Sequence, residues 1–218
     1  MSRYLKYIIV FLLSISFSKI DASNLENDIK HDSITIRYGN LNTTSLSFNA
    51  YKKAIKGYYY YKNKGVIEGN IIAIIDYNLP STEERLFIID VTKDSLLYTS
   101  LVAHGRNSGN NMAVKFSNND GSHKSSLGFF STEETYIGKH GASLRLNGLE
   151  KGINNNARSR NIVIHKAKYV SKDFIQKHNR IGRSHGCPAL PELNYNKIFD
   201  YLDDKILLYI YSSKPSLR

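Results

Sequence analysis

Gly182–Pro191 reads GRSHGCPALP and holds Cys187, the only cysteine in a chain of 218 residues. A lone cysteine is often no more than a small buried apolar side chain, so its neighbours decide what it does. The thiolate is the nucleophilic form, and an unassisted thiol of pKa about 8.5 is mostly protonated at neutral pH. A working site therefore needs an imidazole to take the proton, and N–H donors already aimed at the oxyanion formed on attack. Ser184, His185 and Gly186, directly before Cys187, suit a tight turn that presents such donors. Gly186 has no Cβ, which permits positive φ and close approach to a carbonyl. Pro188 lacks an N–H and fixes the chain beyond the nucleophile.

The base must come from elsewhere in the chain. His165 ends the short apolar run Asn161–His165 (NIVIH), which reads as a strand and stops 22 residues before Cys187. A histidine at a strand end is by itself more often structural; set beside the Cys187 segment, the catalytic reading takes precedence.

Further outward, Ser47 reads as a helix N-cap. Phe48, Tyr51, Ala54, Ile55, Tyr58 and Tyr59 follow at helical spacing, giving a helix over 47–64. The run YYYY at 58–61 fits a helix face packed on the domain better than a sugar-stacking platform. Asn70–Tyr77, Arg85–Asp90 and Leu96–Ala103 read as strands, the last two joined by a Thr92–Lys93–Asp94 turn. His104–Ser126 is dense in Gly, Asn and Ser and reads as a long loop. Leu127–Ser131 and Ser143–Leu146 read as short strands, Tyr195–Tyr201 as a helix and Ile206–Tyr211 as a last strand. No repeat or low-complexity linker breaks the pattern, so one catalytic domain is expected over 47–218, after a polar lead-in at 23–46.

A histidine followed some two dozen residues later by S-H-G-C resembles the catalytic signature of the L,D-transpeptidase (YkuD-type) family. The longer GRSHGCPALP is similar to the bacterial murein L,D-transpeptidase pattern. The likeness extends to VAHGRNSG at 102–109, KFSNNDGSHKSSLGFF at 115–130, YIGKHGASLRLNGLEKGINNNA at 136–157 and VIHKA at 163–167, and so covers about residues 47–211. The resemblance implies a mostly β, sandwich-like catalytic domain with a few short helices. It implies a cysteine acyl-transferase or L,D-carboxypeptidase in which Cys187 attacks the stem-peptide amide between meso-diaminopimelate and D-Ala, forming a thioester, with His165 as base and then acid. The backbone carbonyl of Lys166 would orient His165; the family often has Gly or Ser there, so Lys166 is a departure. Backbone N–H groups of His185, Gly186 and Cys187 would hold the oxyanion. His185 and Ser184 would shape the active-site turn or touch substrate, and Arg183 would bind a substrate carboxylate or brace the loop. His104 and Arg106 would line the cleft from the opposite loop, and 117–126 would form a flap, or all of these would be loop scaffolding.

The whole chain sets the compartment. Residues 1–22 read as a secretory signal: Arg3 and Lys6, the apolar run Tyr7–Phe17, then small residues Ser16, Ser18, Ala22 and Ser23. A retained anchor is the alternative; once the signal is cleaved, no stable membrane span is expected. Export to the periplasm or cell envelope of a bacterium follows. The net charge of +11 falls to +9 when the signal takes Arg3, Lys6, Lys19 and Asp21 with it. Such a balance suits anionic wall polymers, or is simply a solvated basic surface. The charges form no block of nucleic-acid type. The chain carries seven histidines without H-E-x-x-H or H-x-H spacing, so a zinc-dependent cell-wall peptidase is the weaker alternative, and no metal or cofactor is expected. A catalytically silent peptidoglycan-binding module is a further alternative, disfavoured by Cys187 and His165 both being intact. The expected partner is the peptidoglycan stem peptide; the sequence leaves the oligomeric state open.

Overall fold

The apolar runs that read as strands assemble into one sheet. The computed structural model describes residues 33–202, 205–213 and 216–217; the proposed signal at 1–22 lies outside them. The strands are β1 (Ile71–Asp76), β2 (Leu86–Asp90), β3 (Ser95–Ser100), β4 (Lys115–Phe116), β5 (Gly128–Gly138), β6 (Gly141–Gly148), β7 (Val163–Lys166), β8 (Ala189–Leu190), β9 (Leu207–Tyr211) and β10 (Ser216–Leu217). Among the described residues, eight of them form one sheet in the order β3-β2-β1-β9-β5-β6-β7-β8, while β4 and β10 pair separately. Besides a helical stretch at 34–40, the helices are α1 (Phe48–Asn63), α2 (Lys172–His178) and α3 (Tyr195–Leu202).

The centre of the sheet is the parallel pair β1–β9, in register from Ile72 with Leu207 to Asp76 with Tyr211. Parallel strands are normally covered on both faces and read as unbroken apolar runs, as IIAIID and LLYIY do. Alternate residues serve two cores. Ala73, Ile75, Leu208 and Ile210 join Ile88, Leu144, Leu146, Ile164 and Leu190 inside the curled sheet. Ile72, Ile74, Leu207 and Tyr209 join Phe87 and Ile89 under α1. Beyond β3, Ala103 bridges Ala189 of β8, so the two ends of the strand order meet and the sheet folds over its own core. The mostly β architecture with short helices agrees with the expectation.

Helix α1 starts where its cap requires: the Ser47 hydroxyl accepts the Ala50 N–H. Its buried stripe is Ala50, Tyr51, Ala54, Ile55, Gly57 and Tyr58. Tyr58 and Tyr61 pack inward, whereas Tyr59 and Tyr60 are exposed, so only half of the tyrosine run faces the domain.

Three elements differ from the sequence reading. The polar lead-in, to which the sequence reading assigns no element, is helical over residues 34–40. Tyr38 meets Phe48 edge-on at 5.2 Å, and Leu41 and Leu46 are buried. The spacing of Ile34, Tyr38 and Leu41 is helical, but Asn, Asp and Ser around them mask it. Second, β5 runs well past Ser131 and forms a long hairpin with β6 through a two-residue turn, Lys139–His140, between the paired Gly138 and Gly141. Its polar middle, Thr132–Thr135, hides the alternation, and the register shifts there. Third, Ser171 caps α2, a short helix that buries no residue completely and so gives little apolar signal. Among the described residues no helix is long and apolar enough to cross a membrane.

Candidate active site

The sheet edge brings the Cys187 turn and the end of β7 together. Strands β7 and β8 pair in parallel, His165 beside Ala189 and Lys166 beside Leu190. Counting back two residues on each side sets Val163 beside Cys187, and the Val163 N–H acts to lower the thiol's pKa. Strand neighbours lie about 4.8 Å apart, so the pairing holds His165 and Cys187 in one cleft. That cleft, of about 470 Å³, is lined by both, together with Ser184, Arg183, Arg160 and Tyr169 among others.

His165 is buried, and its Nδ1 lies 3.0 Å from the Lys166 carbonyl oxygen. A carbonyl only accepts, so Nδ1 carries the proton and Nε2 is left as the acceptor in the neutral ring. Burial lowers the His165 pKa below its ordinary value, with His140 and Lys139 adding to the effect, although the Lys166 bond opposes them. Cys187 is half-buried and its Sγ donates to the Asn161 carbonyl at 3.6 Å. Burial pushes the thiol up; the Val163 N–H, the Arg160 guanidinium, its own N–H and Lys139 oppose that. Burial thus disfavours the charged form of each group, the imidazolium of His165 and the thiolate of Cys187.

The turn before Cys187 is fixed from within and from outside. The Ser184 hydroxyl donates to the Cys187 carbonyl at 2.6 Å and accepts the Gly186 N–H at 3.0 Å. Gly186 has φ +127°, and a Cβ there would lie 2.9 Å from the Lys124 carbonyl oxygen, so only glycine fits. The Ser125 hydroxyl donates to the Gly186 carbonyl at 3.1 Å. Because Gly186 N–H is taken by Ser184, the oxyanion donors expected from this turn reduce to His185 and Cys187. His185 lines the cleft, is exposed, and meets His123 edge-on at 4.5 Å.

Arg183 lines the cleft and donates through Nη1 to the carbonyls of Gly109, at 2.9 Å, and Arg106, at 3.3 Å. It braces the opposite loop with one nitrogen, and among the described residues Nε and Nη2 are left for another acceptor. His104 and Arg106, expected either to line the cleft or to scaffold its loop, are not among its lining residues. His104 is fully buried: Arg85 Nη2 donates to its Nδ1 at 2.8 Å, and its Nε2 lies 3.4 Å from the Gly109 carbonyl. Burial first, and the Arg85 charge second, hold its pKa down to about 3. The physical reason is local: buried Arg85 needs acceptors, and a neutral imidazole supplies one. Arg106 is exposed, and its backbone N–H donates to the Ser184 carbonyl at 2.8 Å.

The sequence reading missed Arg160, Tyr169, Lys139 and His140, all of which line the cleft. His140, from the β5–β6 turn, stacks on the His165 ring at 4.5 Å with 20° between planes. The signal for it was present in the GKHG of 138–141, a two-residue loop flanked by glycines. Among the described residues no group of three or more His, Cys, Asp or Glu side chains is arranged to hold a metal ion.

No curated protein matches the chain. Among solved structures, an L,D-transpeptidase from Mycobacterium smegmatis is similar at 10% identity and TM-score 0.39, over 66% of this chain and 59% of that one. An L,D-transpeptidase from Stackebrandtia nassauensis is similar at 14% identity and TM-score 0.39, over 84% of this chain and 76% of that one. An L,D-transpeptidase from Xylanimonas cellulosilytica is similar at 12% identity and TM-score 0.37, over 82% and 91%. The chain thus spans about three fifths of the length of the Mycobacterium structure. The family model of the L,D-transpeptidase catalytic domain matches residues 42–211, which take in both core faces and the whole cleft, and the chain belongs to that family.

Proposed function

We propose that this chain is a cysteine acyl-transferase of the bacterial cell envelope, acting on peptidoglycan stem peptides through a Cys187 thioester. The observation that carries the proposal is the Nδ1–H bond from His165 to the Lys166 carbonyl, which leaves Nε2 as a proton acceptor in the cleft of the only cysteine. Family membership supports the substrate, and the signal expected at 1–22 supports the compartment.

The chemistry follows from the protonation states. As Cys187 Sγ bonds to the amide carbon between meso-diaminopimelate and D-Ala, its proton passes to His165 Nε2. The carbonyl electrons move to an oxyanion held by the N–H groups of Cys187 and His185. Collapse breaks the C–N bond, and the leaving amine takes the proton from His165. Water or an acceptor amine then attacks the thioester, gives its proton to Nε2, and Sγ leaves as the thiol. His165 is held by a carbonyl rather than a carboxylate, so its imidazolium is stabilised less than in an Asp-assisted site. A base of that kind takes its proton during attack rather than before it.

Intact mass after mixing with a diaminopimelate-containing tetrapeptide tests the proposal. Wild type should gain the acyl mass and Cys187→Ala should not. An undiminished adduct in the variant, or none in wild type that still binds the peptide, would overturn it; the latter would favour a silent binding module. His165→Ala should slow adduct formation at least a hundredfold, the usual scale of a general base.

A further inference from the structure

Two arginines line the cleft, and counting their donors separates their roles. Arg183 uses one nitrogen on loop carbonyls. Arg160 uses both of its terminal nitrogens completely. Its Nη1 donates to the Ser117 carbonyl at 2.8 Å and the Ser126 hydroxyl at 2.5 Å. Its Nη2 donates to the Lys124 carbonyl at 2.8 Å and the Ser122 hydroxyl at 3.2 Å. The four N–H bonds of those two nitrogens are thereby committed, so Arg160 cannot form a bidentate clamp on a substrate carboxylate. Every acceptor is neutral, and Arg160 makes no ion pair among the described residues. Asp120 acts on it only through its charge. The guanidinium is partly buried, and its Nη2 lies 3.6 Å from where a Gly186 Cβ would stand, against the turn that carries the nucleophile.

We infer that Arg160 is a positioning residue for Cys187: its side chain pins the 117–126 segment against the Gly186 turn and fixes a positive charge in the cleft of the sulfur. This rests on the reading of Cys187 as nucleophile. The loop tie and the charge are separable. The tie matters because the same segment supplies Lys124, whose carbonyl excludes any side chain at 186, and Ser125, whose hydroxyl holds the Gly186 carbonyl. The charge matters because burial penalises a thiolate and a nearby cation offsets that penalty. Other charged or titratable groups face Cys187 too. Lys139 and His140 come from the β5–β6 turn, His165 from β7, and Arg183 and His185 from the nucleophile's own segment. Tyr77 and Tyr169 respond to the thiolate charge. Of the cations in this set, Arg160 alone has both terminal nitrogens fully bound, which fixes where its charge sits.

The sole cysteine makes the test specific and independent of substrate: iodoacetamide alkylation of the full chain, followed by intact mass from pH 5.5 to 10. Arg160→Gln should raise the midpoint of the profile and slow alkylation at pH 7 about tenfold, the equivalent of one pH unit. Arg160→Lys, which keeps the charge and loses the fork, should restore most of that rate. Ser122→Ala, which removes one loop bond and no charge, should leave the midpoint in place. An unmoved midpoint in Arg160→Gln, or an equal shift in Ser122→Ala, overturns the inference. Should Arg160→Gln fail to fold, exposed Asp120→Asn gives the reading instead: its midpoint must move down, and no change or a rise overturns the inference. Failure of the acyl-transfer proposal looks different, because wild-type Cys187 would then alkylate with the same Arg160 dependence while gaining no stem-peptide adduct.

Discussion

On one face of the central strands, α1 lays alanine, isoleucine and tyrosine over Ile72, Ile74, Phe87 and Ile89, and contact is almost wholly apolar. On the folded-over side toward the cleft, buried residues include Arg85, His104, Ser108, Ser125, Ser126, His165 and Ser184, each tied by hydrogen bonds. The first region is held by area removed from water, which is tolerant of detail because it has no direction. The second is held by directional bonds, and a bond broken inside it leaves a partner stranded at a cost of roughly 1–3 kcal/mol. A cleft needs the second kind of support because the oxyanion donors and the histidine must keep their positions when substrate enters. The apolar face is ballast; the polar face is the instrument.

Arg85 offers the hardest test of that contrast. It is fully buried, donates to the carbonyls of Val102 and Leu79 and to His104 Nδ1, and its guanidinium lies 4.8 Å from the centre of the Tyr77 ring. Arg85→Met fills similar volume but strands three acceptors, so a loss of about 3–5 kcal/mol is expected in urea unfolding. Phe87→Leu, on the α1 face, keeps most of its buried area and should cost about 1–2 kcal/mol. Equal losses would erase the distinction between the two regions.

His104 sharpens the same comparison through pH. In the unfolded chain its imidazole takes up a proton below about 6.5, whereas in the fold it stays neutral until about 3. The unfolded state therefore binds the extra proton across that window. The stabilising contribution of neutral His104 is present above pH 6.5 and is lost as pH falls toward 3. His104→Asn should flatten the slope of stability against pH between 6.5 and 4 by up to one proton, whatever it does to stability at pH 7. An unchanged slope would mean that His104 is not held neutral.

How much of this was legible in sequence follows the same division. Cys187 and His165 stood out as candidates because the GRSHGCPALP turn and the NIVIH strand carry their reasons within a few residues, whereas the Lys166 carbonyl entered only through the family resemblance. The strands β1, β2 and β9 were readable as apolar runs, and α1 from its cap and stripe. Arg160 was not, because its four acceptors lie 34 to 43 residues away in sequence and no local pattern marks a partly buried guanidinium. The sequence left His104 open between the cleft and loop scaffolding for a related reason: its neighbour GRNSG looks like an exposed loop, and only the fold sets Arg85 against it. The β5–β6 hairpin was half read, since its polar middle breaks the alternation that marks a strand. Sequence carries apolar burial well because burial is periodic; it carries long-range hydrogen bonding poorly because that is not.

Tyr51 gives the smallest effect and the finest discrimination. It is fully buried in the α1 stripe, and burial pushes its pKa up to about 12. Its hydroxyl is a buried side-chain polar atom without a hydrogen-bond partner among the described residues. If the α1 face is held by apolar contact alone, that hydroxyl contributes nothing and carries an uncompensated desolvation cost. Tyr51→Phe keeps the ring and removes only the oxygen, so stability should stay level or rise by up to about 1 kcal/mol, with the Cys187 alkylation profile unmoved. The corresponding deletion on the polar side, Ser125→Ala, removes a hydroxyl that donates to Gly186 and accepts from Gly105, and should destabilise by about 1–2 kcal/mol. A Tyr51→Phe loss as large as that for Ser125→Ala would mean the α1 face also depends on directed bonds, and the contrast between the two regions would fail where it is drawn most narrowly, at a single oxygen atom.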